Sequence, residues 1–315
     1  MNRRERMRSF FTVPVLLSVA FLLAVLLVSV FAEQLAPHDP DTLDPASVLA
    51  APSAEHPLGT DPSGRDLLSR LIFGARSTML SAFLVVLISA AAGIPLGMLA
   101  GYRRGILDKV LMRLCDAVLS FPSLLLAFVL VAAFGRGIGN VVLSLGILYV
   151  PMLAKLTRSL VLVESGKLYV EAAHATGFGG AHILLREILP NIFSTLLIQL
   201  MLDVGYAILD LSAMNFIGLG VQPPTADWGA MLQSARIHVK NAPLVALSPG
   251  ILIVLTVVAF NILGDGISAY LDPAQRKLPS IKRFKKALLR RDPDADPGSK
   301  VLPRTRKAGE EAAHE

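Results

Sequence analysis

The chain has 315 residues, of which 53% are hydrophobic and only 17% are charged, and its mean hydropathy is +0.59. This composition excludes an ordinary soluble domain. The net charge of +6 does not indicate nucleic-acid binding, because the basic residues fall in short stretches between apolar runs. A backbone in hydrocarbon must close its own hydrogen bonds, so the predicted fold class is an all-α, polytopic membrane protein.

Six apolar runs approach or exceed the length of about 18 residues that crosses a bilayer as a helix. The first run is too long for a cleaved signal peptide and is predicted to be an N-terminal anchor. A loop rich in proline and aspartate follows it, and the amphipathic residues 66–76 predict an interfacial helix before the second run. The six runs span residues 9–32, 77–102, 117–135, 137–154, 188–226 and 241–264.

Lysine and arginine are concentrated at the N-terminus, within residues 103–113 and 155–186, and in the C-terminal tail. Short cytoplasmic loops of membrane proteins carry an excess of these two residue types. The distribution predicts six transmembrane helices with both termini in the cytoplasm. It also predicts that the loop before the second run and the stretch after the fifth run are external.

The second run carries Gly93, Gly97 and Gly101 at intervals of four residues. A stripe of small residues at this spacing predicts that a neighbouring helix approaches closely. Pro95 and Pro151 lie inside apolar runs and predict kinks in the second and fourth helices.

The polar stretch 171–190 separates the fourth and fifth runs. It predicts two short helices joined by a turn at Gly177, Gly179 and Gly180, with Pro190 at the start of the fifth helix. A short rigid helix of this kind can be held in a groove by apolar anchors. The residues alone leave open whether it is such a lever or an ordinary amphipathic loop.

Asp203 and Asp210 interrupt the fifth run and lie on nearly the same face of a helix. A carboxylate near the bilayer centre costs roughly 2.5–3.5 kcal/mol, so both are expected to face protein or water. One hypothesis is that they line a translocation cavity and favour cationic groups. The alternative is that they make structural hydrogen bonds or pair with a cation of a partner subunit.

Trp228 is the only tryptophan, and it follows two adjacent prolines at 223–224. Its place near the end of an apolar run predicts an aromatic anchor at the membrane interface, in preference to a contact with an external partner. Cys115 is the only cysteine, and the six histidines fall outside the apolar runs. We therefore expect no disulfide within the chain and no metal-ligating set of residues.

Four blocks of sequence carry a family resemblance. They are HPLGTDPSGRD at 56–66, FPSLLLAFVL at 121–130, EAAHATGFGGAHILLREILPN at 171–191, and NFIGLGVQPPTADWG at 215–229 with FNILGDGISAYLDP at 260–273. In this order and spacing they resemble the second, shorter permease of dipeptide/oligopeptide/nickel ABC importers. Glu187 departs from the family pattern, which has isoleucine three residues before the proline.

The resemblance implies the type I ABC importer permease fold in the cell inner membrane. It also implies four partners: a homologous second permease, two ABC ATPase subunits and an external solute-binding protein. The chain would form half of a pathway for short peptides, with nickel or another chelated metal as the alternative cargo. A self-sufficient secondary transporter or channel is a more distant alternative. The residues implied to couple to the ATPase are Glu171, Ala172, Ala173, Gly177, Gly179, Leu189 and Pro190.

The chain contains no G-x-x-x-x-G-K-[ST] phosphate-binding motif and neither HExxH nor GxSxG. It is therefore expected to be a non-catalytic subunit without a cofactor, with ATP bound by its partners. The predicted division is an anchor helix with the start of an external loop at 1–55, and a permease core at 56–273 that includes the coupling loop 164–190. A basic, unstructured cytoplasmic tail is predicted at 274–315.

Overall fold

The computed structural model describes residues 12–271, and the regular elements in this part of the chain are helical. Among these residues, five helices are long and apolar enough to span a membrane, and a bent pair of helices makes a sixth span if it is counted as one. The all-α prediction is confirmed. The helices of eight residues or more are α1 (Val13–Val30), α2 (Leu67–Arg103), α3 (Gly105–Leu119), α4 (Ser123–Phe134), α5 (Ile138–Glu164), α6 (Leu168–Ala175), α7 (Leu189–Phe216), α8 (Trp228–Ala235) and α9 (Pro243–Leu271).

The tightest helix pair is α2 with α5, and the predicted glycine stripe lies between them. A Cβ atom added at Gly97 would stand 2.4 Å from the backbone oxygen of Ala154, and one at Gly101 would stand 2.8 Å from that of Arg158. These distances are shorter than any van der Waals contact, so only glycine lets the two backbones come this close. The prediction of a close helix contact at this stripe is confirmed.

Helix α2 runs unbroken for 37 residues, so the helix predicted at 66–76 to lead into the second span forms the first turns of that span's own helix. Asp66 caps the helix, because its carboxylate accepts a hydrogen bond from the backbone N–H of Ser69 at 2.8 Å. The apolar side of the first turns, which includes Leu67, Leu71 and Ala75, is buried inside the protein. The amphipathic pattern of residues 66–76 therefore reflects packing against other helices rather than contact with lipid head groups.

The sequence predicted one transmembrane helix for the third apolar run, but this run does not form a single straight helix. Helices α3 and α4 meet at an angle of 90° around residues 120–122. Pro122 explains the break, because a proline disfavours helical geometry at the residue before it and has no N–H to donate. Helix α4 has 12 residues and is therefore about 18 Å long, which is short of a hydrocarbon core about 30 Å thick.

Trp228 is 1% exposed, so its prediction as an interfacial anchor is wrong. Its indole N–H donates a hydrogen bond to the backbone oxygen of Leu71 at 3.0 Å, and its ring lies against Gly74 of α2. The neighbouring Asp227 is also buried and caps α8. Its carboxylate accepts hydrogen bonds from the Thr78 hydroxyl at 2.8 Å and the Asn215 side-chain amide at 2.7 Å. Together Asp227 and Trp228 bind α8 to α2 and α7.

Some predictions fall on residues outside the described range. These are the basic N-terminus up to residue 11 and the cytoplasmic tail 274–315. The domain boundary at 55–56 and the side of the membrane on which the termini lie also stay predictions.

Replacing Gly97 with alanine is expected to destabilise the protein by about 2 kcal/mol, because the new methyl group overpacks a contact made by rigid backbone. Thermal unfolding of the detergent-purified protein, followed by circular dichroism, measures the effect. Gly139→Ala is the matched control, since no atom lies within 4 Å of a Cβ built at Gly139 in the first turn of α5. Equal melting temperatures for the two variants would contradict the close α2–α5 contact.

Candidate functional site

The polar stretch between the fourth and fifth runs folds around the short helix α6. Gly177 follows α6 with φ at +85°, a left-handed conformation that glycine adopts without steric cost, and it ends the helix. The prediction of one short helix followed by a glycine turn is confirmed. Gly179 and Gly180 have ordinary negative φ values, so only one of the three predicted turn glycines is needed for its backbone conformation.

The predicted second short helix is not separate, and this part of the prediction is wrong. Residues Gly180–His182 continue through the π-helical segment Ile183–Ile188 directly into α7. Pro190 is the second residue of α7, as predicted, although helical structure precedes it. A proline removes one i→i−4 hydrogen bond, and the wider π turn just before it accommodates the misfit.

The seven residues implied to couple to an ATPase do not form one surface. Glu171 and Ala172 are exposed on α6, and Gly177 and Gly179 are exposed in the turn. Ala173 faces inward and packs in a cluster with Val161 and Ile183. The remaining two, Leu189 and Pro190, are the first two residues of α7.

Two exposed apolar side chains flank α6, and the sequence reasoning missed them. Leu168 is 82% exposed at the start of the helix, and Phe178 is 48% exposed in the turn that follows it. The Phe178 ring stacks on the ring of His182, with 4.4 Å between the centroids. The available signal was an aromatic residue between glycines in an otherwise polar turn.

A hydrogen-bonded junction joins α6 to the two long helices on either side of it. The Tyr169 hydroxyl donates to Oε1 of Glu164, the last residue of α5, at 2.7 Å. The same hydroxyl accepts from the side-chain amide of Asn191, in the first turn of α7, at 3.1 Å. Burial and the hydrogen bond to Glu164 raise the pKa of Tyr169 to about 12, so the phenol keeps its proton at neutral pH. We call Glu164, Tyr169 and Asn191 the junction.

A second contact connects α6 to the end of α2. The rings of Tyr102 and His174 are stacked with centroids 6.0 Å apart, and the Tyr102 hydroxyl lies 3.4 Å from Nε2 of His174. The Tyr102 ring also fills the space next to Gly180, where a Cβ would stand 2.8 Å from it. Helix α6 is therefore held by α2, α5 and α7 at once.

Asp203 and Asp210 both line a groove of about 470 Å³ beside α7. Oδ1 of Asp203 accepts a hydrogen bond from the Gln199 side chain at 2.8 Å, and Oδ2 of Asp210 accepts one from the Tyr149 hydroxyl at 2.8 Å. Each carboxylate thus has a structural partner and also faces the groove. The other lining residues are Leu119, Phe121, Ser123, Leu148, Tyr149, Met152, Tyr206 and Leu209.

Comparison with known proteins decides the family. Residues 93–277 match the family model described as binding-protein-dependent transport system inner membrane component. The chain belongs to this family. It is the inner-membrane permease component of an ABC importer, as the sequence resemblance implied.

Curated relatives agree with this family over most of the chain. The permease is 43% identical over 259 residues to the di/tripeptide transport system permease protein DppC of Pseudomonas aeruginosa, an alignment that covers 80% of this chain and 86% of that protein. It is 39% identical over 254 residues to the glutathione transport system permease protein GsiD of Pectobacterium atrosepticum, with coverage of 80% and 84%.

A solved structure supports the fold alone. An inward-facing structure of the MetNI methionine ABC transporter matches the permease with a TM-score of 0.55 and 18% sequence identity. The match covers 65% of this chain and 97% of the chain in that structure. The ABC importer permease fold is thereby confirmed.

Tyr169→Phe is expected to loosen α6, because it removes the hydroxyl that bridges Glu164 and Asn191. The loss of about 1 kcal/mol of local stability corresponds to roughly fivefold faster amide hydrogen exchange within α6. Hydrogen exchange read by mass spectrometry checks this. Tyr206→Phe, at a tyrosine of α7 that is 51% exposed, is the control and leaves exchange in α6 unchanged. Unaltered exchange in Tyr169→Phe would contradict the junction.

Proposed function

We propose that this permease forms half of the translocation pathway of an ATP-driven importer of short peptides. The observation that carries the substrate class is the identity of about two residues in five to permeases named for di/tripeptide and glutathione transport, glutathione being itself a tripeptide. Nickel or another chelated metal is not favoured by these relatives. The permease would supply no catalysis and bind no ATP, and its partners would be two ABC ATPases, a homologous second permease and an external solute-binding protein.

Helix α6 is proposed as the coupling element. Its exposed face offers Glu171 and Ala172, and the apolar side chains of Leu168 and Phe178 extend the surface on either side. An ATPase groove can grip such a helix by its apolar anchors. The junction would then pass a displacement of α6 to α5 and α7 together, because Tyr169 bonds to a residue of each. ATP binding would bias one of two arrangements of these rigid helices.

The groove beside α7 is proposed as this subunit's contribution to the pathway. Its acidic side chains, Asp203 and Asp210, would favour the cationic amine of a peptide, while its aromatic and aliphatic residues would tolerate varied side chains. The hydrogen bonds from Gln199 and Tyr149 would hold the two carboxylates in place between substrates.

A cysteine at Ala172 is expected to form a crosslink to an ATPase subunit in the assembled complex, because this side chain is exposed on α6. The native Cys115, which is buried, is first replaced by serine to remove background. Arg136→Cys, exposed in the turn between α4 and α5, is the control that should not crosslink. Crosslinks are read by mobility shift and mass spectrometry. Absence of an Ala172 crosslink to the ATPase, or tripeptide uptake by the isolated chain in liposomes, would overturn the coupling proposal.

Asp203→Asn and Asp210→Asn are each expected to reduce ATP-driven uptake of a tripeptide with a free amine about fivefold, which corresponds to losing ~1 kcal/mol of charge attraction. An N-acetylated tripeptide should be much less affected, since it lacks the cationic group. Uptake is measured with the reconstituted complex. Asp265→Asn, which removes an exposed acid of α9, is the control for net charge. Normal uptake by both variants after normal assembly would leave the carboxylates with a structural role alone.

A further inference from the structure

Three side chains that are distant in sequence meet where α2 begins. His38 lies in the loop after α1, His56 opens the first family block, and Asp66 caps α2. Nδ1 of His56 is 3.0 Å from Oδ1 of Asp66, and Nδ1 of His38 is 3.8 Å from Oδ2. The two imidazole rings are 4.9 Å apart between centroids. One ligand atom from each of the three residues lies within 4.8 Å of the other two.

His38 is the member of this cluster that the fold itself does not explain. Its Nδ1 atom is buried and has no hydrogen-bond partner among the described residues. A buried polar atom without a partner costs free energy, and in native proteins it usually marks a bound water, an ion or a function. The hydrogen bond between His56 and Asp66 accounts for those two side chains but gives no reason for the inward position of the His38 nitrogen.

We propose that His38, His56 and Asp66 form a binding site for a divalent transition-metal ion of the zinc class. Two neutral imidazoles and one carboxylate are ligands that zinc prefers, and three protein ligands leave a fourth position for water. Zinc-to-ligand distances of 2.0–2.1 Å place tetrahedral ligand atoms about 3.4 Å apart. Nδ1 of His56 and Oδ1 of Asp66 are already 3.0 Å apart, and the ligand atoms of all three residues lie within 4.8 Å of one another. A modest rotation of the two histidine side chains would bring the three ligand atoms to coordination distance from one ion.

Hydrogen bonds from Ser69 orient the Asp66 carboxylate as a metal ligand. Its Oδ2 atom accepts hydrogen bonds from the backbone N–H of Ser69 at 2.8 Å and from the Ser69 hydroxyl at 2.7 Å. Such outer hydrogen bonds orient the ligand, and Oδ1, which now faces His56, is the atom available to the ion.

An ion can reach the site from a neighbouring cavity. His38 lines a cavity of about 640 Å³ that also exposes Glu33, Asp39 and Asp41 to the same space. Arg76 also lines this cavity and pairs with Glu33 at 3.2 Å, so Asp39 and Asp41 are the acidic side chains that favour a cation. The volume leaves room for the water that completes the coordination. The guanidinium of Arg70 also lies nearby. Its Nε atom forms an ion pair with Oδ2 of Asp61 at 3.3 Å, and its Nη1 atom donates a hydrogen bond to the backbone oxygen of Pro40 at 3.0 Å.

The ion is a resident structural element rather than cargo. It would fasten the loop at His38 and the first family block at His56 to the start of α2, where Arg70 also donates to the backbone oxygen of Pro224. The site uses no residue of the groove that contains Asp203 and Asp210. This assignment replaces the sequence-based expectation of no metal-ligating set, since the three residues match no short ligand motif and meet only in the folded chain.

Metal content tests the proposal directly. The full-length, detergent-purified permease is equilibrated with Zn²⁺ in a chelator buffer, and bound zinc is measured by elemental mass spectrometry. One ion per chain is expected, with affinity reduced about tenfold or more in His38→Ala and in His56→Asn. His56→Asn keeps a side-chain donor toward Asp66. His238→Ala, which changes a histidine outside the cluster, is the matched control and should bind as the native protein does.

Two further measurements separate a metal site from a structural contact. Zn²⁺ should raise the melting temperature of the native protein but not of His38→Ala, whereas the two proteins should melt alike without metal. Co²⁺ should give the visible absorption of a four-coordinate ion, and this absorption should be absent from His38→Ala. No zinc above background overturns the proposal. Zinc binding that survives in the His38→Ala/His56→Asn double variant also overturns it, because the ion then binds elsewhere.

Discussion

The close contact between α2 and α5 is the constraint on which the rest of the protein depends. Gly97 and Gly101 let the backbone of α2 touch that of α5, and lipid offers no hydrophobic force that could replace this packing. Helix α2 carries the Asp66 cap at one end and Tyr102, next to α6, at the other. Helix α5 carries Tyr149 in the groove and Glu164 at the junction. The two helices therefore form one packed unit that connects the groove to α6.

The sequence predicted best those features that depend on a one-dimensional pattern. Runs of apolar residues gave the long helices, and the interval of four between Gly93, Gly97 and Gly101 gave the face that meets α5. The glycine after α6 gave the end of that helix. Each of these follows from helix periodicity or from the conformational freedom of one residue, so no knowledge of distant contacts is needed.

Two of the predictions that proved wrong required knowledge of what lies opposite a residue. Trp228 has the composition of an interfacial anchor, but Gly74 of α2 leaves room for its ring inside the protein. Residues 66–76 have the pattern of a surface helix, but other helices cover their apolar side. The candidate site likewise has a part that the sequence predicted and a part that it did not. Helix α6 was expected, whereas the Tyr169 hydroxyl forms hydrogen bonds with residues five and 22 positions away, which no local motif reveals.

The burial of Trp228 has a practical consequence. Because it is the chain's single tryptophan and it joins α8, of which it is the first residue, to α2, the protein contains an intrinsic fluorophore at a helix–helix contact. Its emission wavelength reports the polarity around one indole ring in the purified permease. Any separation of α8 from α2 would admit solvent or lipid and shift that emission, so this conformational step can be followed without an attached dye.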